Sequence, residues 1–162
     1  MKTTESTVTI CSFPNVSPVN TAEEGIRLGH YNDHYRYITD KTVPLKPVEG
    51  KKNLHVVCFN RLIGEKEWVE LLRAEGKQPC RHAPQYLLGL MAQVPEGQMP
   101  AELHNKDIVA AEQESPSVFS DFYGRRCFLC VSRDDVGRGL SLASVDGEWF
   151  GFCAFLAEDL VA

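Results

Sequence analysis

Residues Ser120 to Gly147 read SDFYGRRCFLCVSRDDVGRGLSLASVDG. Two properties overlap in this stretch. The first is a strand–turn–strand grammar. Arg126 to Arg133 (RCFLCVSR) has the apolar run of a strand, and Asp134 to Gly137 (DDVG) has turn chemistry. Gly139 to Val145 (GLSLASV) then alternates Leu140 and Leu142 against Ser141 and Ala143. Asp146-Gly147 adds a two-residue hairpin signal. Together these predict a small antiparallel sheet late in the chain. The second property is the alphabet. Only Ser, Asp, Phe, Tyr, Gly, Arg, Cys, Leu, Val and Ala occur here, while Lys, Glu, Gln, Met and Trp, all present elsewhere, are missing. A regular scaffold with an irregular choice of side chains reads as a display surface more than as a catalytic site.

Upstream, DIVAA (Asp107 to Ala111) reads as a short buried strand. Before it, Pro84 fits the first turn of a helix whose buried face is Tyr86, Leu87, Leu90 and Met91. An earlier helix covers EKEWVELLRAEG. Trp68, Leu71 and Leu72 fall at helical spacing, Glu65 and Glu67 occupy the first turn, and Gly76 supplies the stop. LHVVCFN (Leu54 to Asn60) is a β-rich buried strand, and EWFGFCAFLAE closes the fold as one or two strands around Trp149. One strand, two helices and a late antiparallel sheet make an α+β fold with the helices on one side. Residues 1–53 read as an N-terminal arm of short irregular elements packing on a main domain at 54–162. VTICSF is a short strand there, and TAEEGIRLG a short helix or turn with Thr21 as N-cap and Glu24 at the capping-box position.

The chain is long enough for one core and too short for two ordinary domains. Its charge of -5 argues against a dedicated nucleic-acid binder, although Arg125, Arg126, Arg133 and Arg138 could form a local basic patch. No apolar run resembles a signal peptide or spans a bilayer, so the expected location is cytoplasmic, with reduced thiols.

The six cysteines are scattered, which speaks against a disulfide framework. Cys127 and Cys130 form a CxxC, but inside a strand they point to opposite faces and cannot chelate one ion together. His30 and His34 sit at i, i+4 in a segment that is not helical in pattern and lacks the Glu of a zinc-protease motif. Cys80 and His82 are too close in sequence for an ordinary Cys–His pair, and His104 has no assigned partner. No cofactor or metal is expected. Trp149 reads as a core anchor, and Phe150 and Phe152 as surface rings.

In order along the chain, CFNR (Cys58 to Arg61), EKEWVELLRAEG, RHAPQYLLGL, IVAA, GRRCFLCV, Leu140-x-Leu142, Trp149 and AFLA (Ala154 to Ala157) resemble the C-type-lectin-like variable proteins of diversity-generating retroelements, in a short bacterial form. The resemblance covers about Leu54 to Ala157. It implies a C-type-lectin-like fold, a non-enzymatic role in binding changing protein or surface ligands, and a variable surface at about 118–157. In that family, adenine-directed randomisation turns Asn or Tyr codons into Ser, Asp, Gly, Cys, Phe, Leu, Val, Arg or Ala, but hardly into Lys, Glu, Gln, Met or Trp. It also accounts for unpaired cysteines at 127, 130 and 153. The expected ligand-binding residues are Asp121, Phe122, Tyr123, Arg125, Ser132, Asp134, Asp135, Arg138, Ser141, Ser144, Phe150 and Phe152. The hairpin turns that carry them are expected to gather at a common end and form one surface. Two other readings stay open. One is a small enzyme or metal-binding protein using Cys80, His82, His104, Cys127 or Cys130. The other is an oligomeric structural subunit; the oligomeric state is not legible.

Overall fold

A computed structural model describes residues 8–112 and 118–161. Expectations that touch residues 1–7, 113–117 or 162 lie outside the described residues. In chain order the elements are β1 (Thr9–Val16), α1 (Ala22–Leu28), β2 (Asp33–His34), β3 (Lys52–Cys58), α2 (Glu67–Ala74), β4 (Lys77–Pro79), α3 (Ala83–Gln93), β5 (Asp107–Val109), β6 (Val118–Ser120), β7 (Arg126–Asp134), β8 (Gly137–Ser144) and β9 (Cys153–Asp159). The α+β class holds. The small antiparallel sheet does not: among the described residues the sheet has nine strands, ordered β1-β3-β9-β5-β7-β8-β2, with β4 beside β9 and β6 beside β7. It is also mixed, since β5 runs parallel to β9 and β2 parallel to β8.

The reason for the difference lies after β8. The β7–β8 hairpin forms across Asp134 and Gly137, where DDVG predicts it. Gly147 makes a turn at φ +98, but no second hairpin follows it. Instead the chain crosses the sheet, seats Trp149 against Ile63, and enters as β9 between β3 and β5. Trp149 is buried there, edge-on to Phe155 at 5.4 Å and stacked on Phe128 at 6.2 Å.

The N-terminal segment is part of the sheet, not an appendage to it. β1 pairs with β3 over Thr9↔Cys58 to Phe13↔Leu54, and β2 lies on the far edge beside β8. Between them α1 starts where the sequence places it, with Thr21 Oγ1 accepting the Glu24 amide at 3.2 Å. This is a third helix beyond the two expected for the main domain.

Two apolar layers flank the sheet. On one face α3 packs with Leu54, Val56, Leu129, Val131 and Leu140. On the other, Trp68, Val69 and Leu72 of α2 meet Val57, Phe128, Cys130, Trp149 and Phe155. The predicted stripe on α3 is only part of its burial, because Ala83 to Met91 are buried without exception. The N-terminal segment roofs its outer side. Val19 N donates to Gln85 O at 3.0 Å, and the Gln85 side chain donates to Lys46 O at 2.9 Å. A Cβ on Gly89 would lie 1.8 Å from the Ser17 carbonyl oxygen, so only glycine permits this approach.

Candidate binding surface

Strand alternation decides which residues of the late hairpin are available. Leu129, Val131, Arg133, Arg138 and Leu140 share the α3 face; Phe128, Cys130, Ser132, Asp134 and Ser141 share the opposite one. Beyond the reach of α2, that second face is open. Ser132 and Ser141 meet there, Oγ to Oγ at 3.2 Å. A groove of about 580 Å³ runs along it beside β8, lined by Asn32, Asp33, Tyr35, Arg125, Ser132, Asp134 and Ser141 among others. Register places Cys153, Asp107 and Ser132 side by side on the same face. Burial, reinforced by the Asp134 carboxylate, holds the Asp107 carboxyl above its ordinary range.

The twelve expected residues divide. Asp121, Arg125, Ser132, Asp134, Arg138 and Ser141 line the groove. Phe122 and Tyr123 stand exposed at one end of it, and Arg125 lies over the Tyr123 ring at 5.5 Å. Asp135 is exposed at the hairpin tip, 3.3 Å from His104 Nε2. Phe150 and Phe152 are exposed and stacked at 5.7 Å, near Asp107 rather than in the groove. Ser144 is exposed but serves its own turn, accepting the Asp146 amide at 3.2 Å.

Two of those six groove residues are buried. Asp121 is buried, and its carboxylate accepts from the Tyr123 and Arg125 amides at 2.9 Å and from Arg125 Nε at 2.7 Å. It is an Asx turn holding the loop in shape. Arg138 is 1% exposed and faces α3. Its guanidinium donates to the carbonyls of Gly29, Met91 and Val94 and to Glu96. A cation there satisfies two helix C-termini. Arg133 is buried beside it, and Arg126 pairs with Asp146 at 3.1 Å, so the four arginines do not make a patch.

The expected common end is also corrected. The turn at Asp121 precedes β7 and the turn at Asp135 follows it; nine residues separate them, about 26 Å of strand. The groove, not a shared loop end, connects the two turns.

The cysteine readings resolve on burial. Cys80, Cys127 and Cys130 are buried, and burial pushes each thiol above its ordinary value; Cys153, half-buried, is pushed up to about 11. Thiolates are the reactive form, so these are poor nucleophiles near neutral pH. Cys127 and Cys130 do face opposite layers of the sheet. His82 is at the start of α3 with φ 58, and its amide donates to Glu112 at 3.2 Å.

Sequence reasoning missed two groups. Asn32 to Tyr35 form one wall of the groove, although they lie a hundred residues from the hairpin. Their only signal is the polar and aromatic run HYNDHYRY. Across the sheet, Ser12 Oγ lies 2.7 Å from His55 Nδ1, and His55 Nε2 lies 2.9 Å from Asp159 Oδ1. Lys77 also reaches Asp159 at 3.2 Å and, with His55, holds its carboxyl below the ordinary range. The serine meets the wrong ring nitrogen for a hydrolase triad, and the carboxylate is exposed. Ser12 and His55 are direct cross-strand partners, and the row is a polar ladder on the sheet surface.

Among the described residues no helix is long and apolar enough to cross a membrane. Comparison with known proteins finds no matching family, no matching curated protein and no matching solved structure.

Proposed function

We propose that this protein is a non-enzymatic binding module whose surface at about 118–157 is diversified on a C-type-lectin-like scaffold. One observation carries the reading. Phe122, Tyr123 and Val136 are exposed within the restricted-alphabet window, and Phe150 and Phe152 are exposed just beyond it, all inside residues 118–157. Outside residues 118–157, the exposed large hydrophobics among the described residues are Ile10, Leu62, Leu160 and Val161. Exposed rings in contact with one another, as Phe122 with Tyr123 at 5.4 Å and Phe150 with Phe152 at 5.7 Å, suit an interaction surface. Large rings supply rigid contact area, while Ser132, Ser141 and Asp134 offer adaptable hydrogen bonding between them.

The scaffold assignment draws on element order. A strand, β3, is followed by α2 and α3, then by the late strands, and β9 returns to pair with β3. Free, buried thiols at Cys127 and Cys130 suit residues that arrived by codon change and were tolerated.

The test is the DNA beside the gene. The expected finding is a near-copy of the segment encoding residues 118–157, differing mainly at adenines, next to a reverse transcriptase gene. A flank without such a repeat sinks the diversification. The same exposed rings favour a second reading, an oligomer interface. Light scattering decides it: a monomer in solution leaves the rings free for a foreign ligand.

A further inference from the structure

We propose that the groove beside β8 receives an extended, positively charged protein segment, and that Asn32 to Tyr35, outside the diversified window, form its fixed wall. This deepens the binding reading above by naming the class of partner.

Charge comes first. Asp33 and Asp134 are both exposed in the groove lining. Asp33 Oδ1 accepts the His34 amide at 2.9 Å; Asp134 Oδ1 accepts the Val136 and Gly137 amides at 2.8 and 3.2 Å. Neither makes an ion pair within the described residues. The two arginines that touch the groove do not balance them. Arg125 is paired to Asp121 at 2.7 Å, and the Arg138 guanidinium is turned through to the α3 face. Arg36 is exposed beside Tyr35 but outside the lining, so the lining itself carries two carboxylates without an ion pair among the described residues, which favours a cation.

The aromatic rings agree with that sign. Tyr35 and Tyr37 lie 5.8 Å apart, Tyr37 meets Phe122 edge-on at 5.9 Å, and Phe122 meets Tyr123 at 5.4 Å. The chain of rings passes from the fixed segment into the diversified one. Ring faces attract ammonium and guanidinium groups.

The backbone supplies the extended shape. β2 pairs with β8 only at Gly139 and Leu140, and on that edge the carbonyls of Arg138 and Leu140 accept from Asn32 and Tyr35 at 2.8 Å. Alternation turns the main-chain groups of Leu142 and Ser144 to the same edge, where no strand continues among the described residues. An incoming strand can add there, its alternate side chains reaching the carboxylates and the rings.

The experiment is panning of a random dodecapeptide phage library on the full chain, followed by affinity measurement with one enriched synthetic peptide. Lys and Arg should be enriched, and binding should weaken as salt rises. Asp33→Asn and Asp134→Asn should each reduce affinity about tenfold, the loss of one charge-assisted contact. Glu49→Gln, exposed and outside the groove lining, should leave it unchanged. Circular dichroism confirms that each variant is folded. Enrichment of acidic or uncharged peptides, no enrichment, or affinity indifferent to both substitutions overturns the proposal. Those outcomes leave the gene-flank test untouched, and a flank without a repeat leaves this groove untouched, so the two readings fail separately.

Discussion

Arg138 Nε lies 3.3 Å from Glu96 Oε1, and this contact ties β8 to the turn that follows α3. The same guanidinium donates to Gly29 O at 2.7 Å, Met91 O at 2.9 Å and Val94 O at 2.7 Å. Arg138→Ala removes one cation and strands those acceptors. The expected loss is about 3–5 kcal/mol in urea unfolding, as for other broken buried pairs. Arg125→Ala is the contrast, because that side chain is mostly in solvent; its unfolding midpoint should move far less. Equal effects would return Arg138 to the surface set.

Serine substitutions at Phe122, Tyr123, Phe150 and Phe152 should be nearly silent in thermal melts. Exposed substitutions usually change stability by about half a kcal/mol or less. A large drop at any of them would mark that ring as structural and remove it from the binding surface.

Gly89→Ala tests the roof over α3. The new methyl meets the Ser17 backbone at 1.8 Å, which no side-chain rotation relieves. Overpacking of this kind costs about 1–3 kcal/mol. Gly97→Ala, with nothing within 4 Å of its Cβ, is the control. Matching denaturation curves would mean that the N-terminal segment does not press on α3 in solution.

Glu158 should govern part of the acid limb of stability. Burial opposes its ionisation, but hydrogen bonds from Lys52, Arg81 and Gln78 outweigh burial and hold the carboxyl below its ordinary range. A carboxyl with a lowered folded value stabilises above the ordinary carboxylate range, and that stability fades as pH falls through the folded value. Glu158→Gln should therefore flatten the decline seen in urea titrations between neutral pH and about pH 3. Parallel declines in both proteins would contradict the assignment.

The thiols make a separate prediction. With Cys153 pushed up to about 11 and Cys80 and Cys130 raised by burial, a disulfide reagent at pH 7.5 should label the native chain slowly. Denaturant should release all six cysteines. Fast labelling of one thiol in the native protein would reopen a catalytic or redox reading.

What was legible in the sequence was local. The β7–β8 hairpin follows from DDVG between two alternating runs, and the start of α1 follows from Thr21 and Glu24. What was hidden depends on distant partners. The parallel pairing of β5 with β9 has no local signature, and the full burial of α3 needs a roof drawn from residues 17–48. Arg138 is the instructive case. Its parity with Leu140 places it inward, yet its acceptors come from two helix ends far away in sequence, so no short window shows that an arginine can be satisfied there. Asp121 is similar: the Asx turn is written in DFYGR, but a short polar run reads equally well as an exposed tip. The groove wall at Asn32 to Tyr35 was invisible because two residues of β2 are too few for periodicity.

The central position of β9 has a consequence for synthesis. Its neighbours β3 and β5 leave the ribosome well before it does, and each then carries an open hydrogen-bonding edge. Until Cys153 to Asp159 emerge, the two halves of the sheet have nothing between them. Nascent chains stalled between residues 118 and 152 therefore hold two open sheet edges at once. A frameshift there removes the strand that joins the halves, so the product would reach proteolysis as an unclosed sheet.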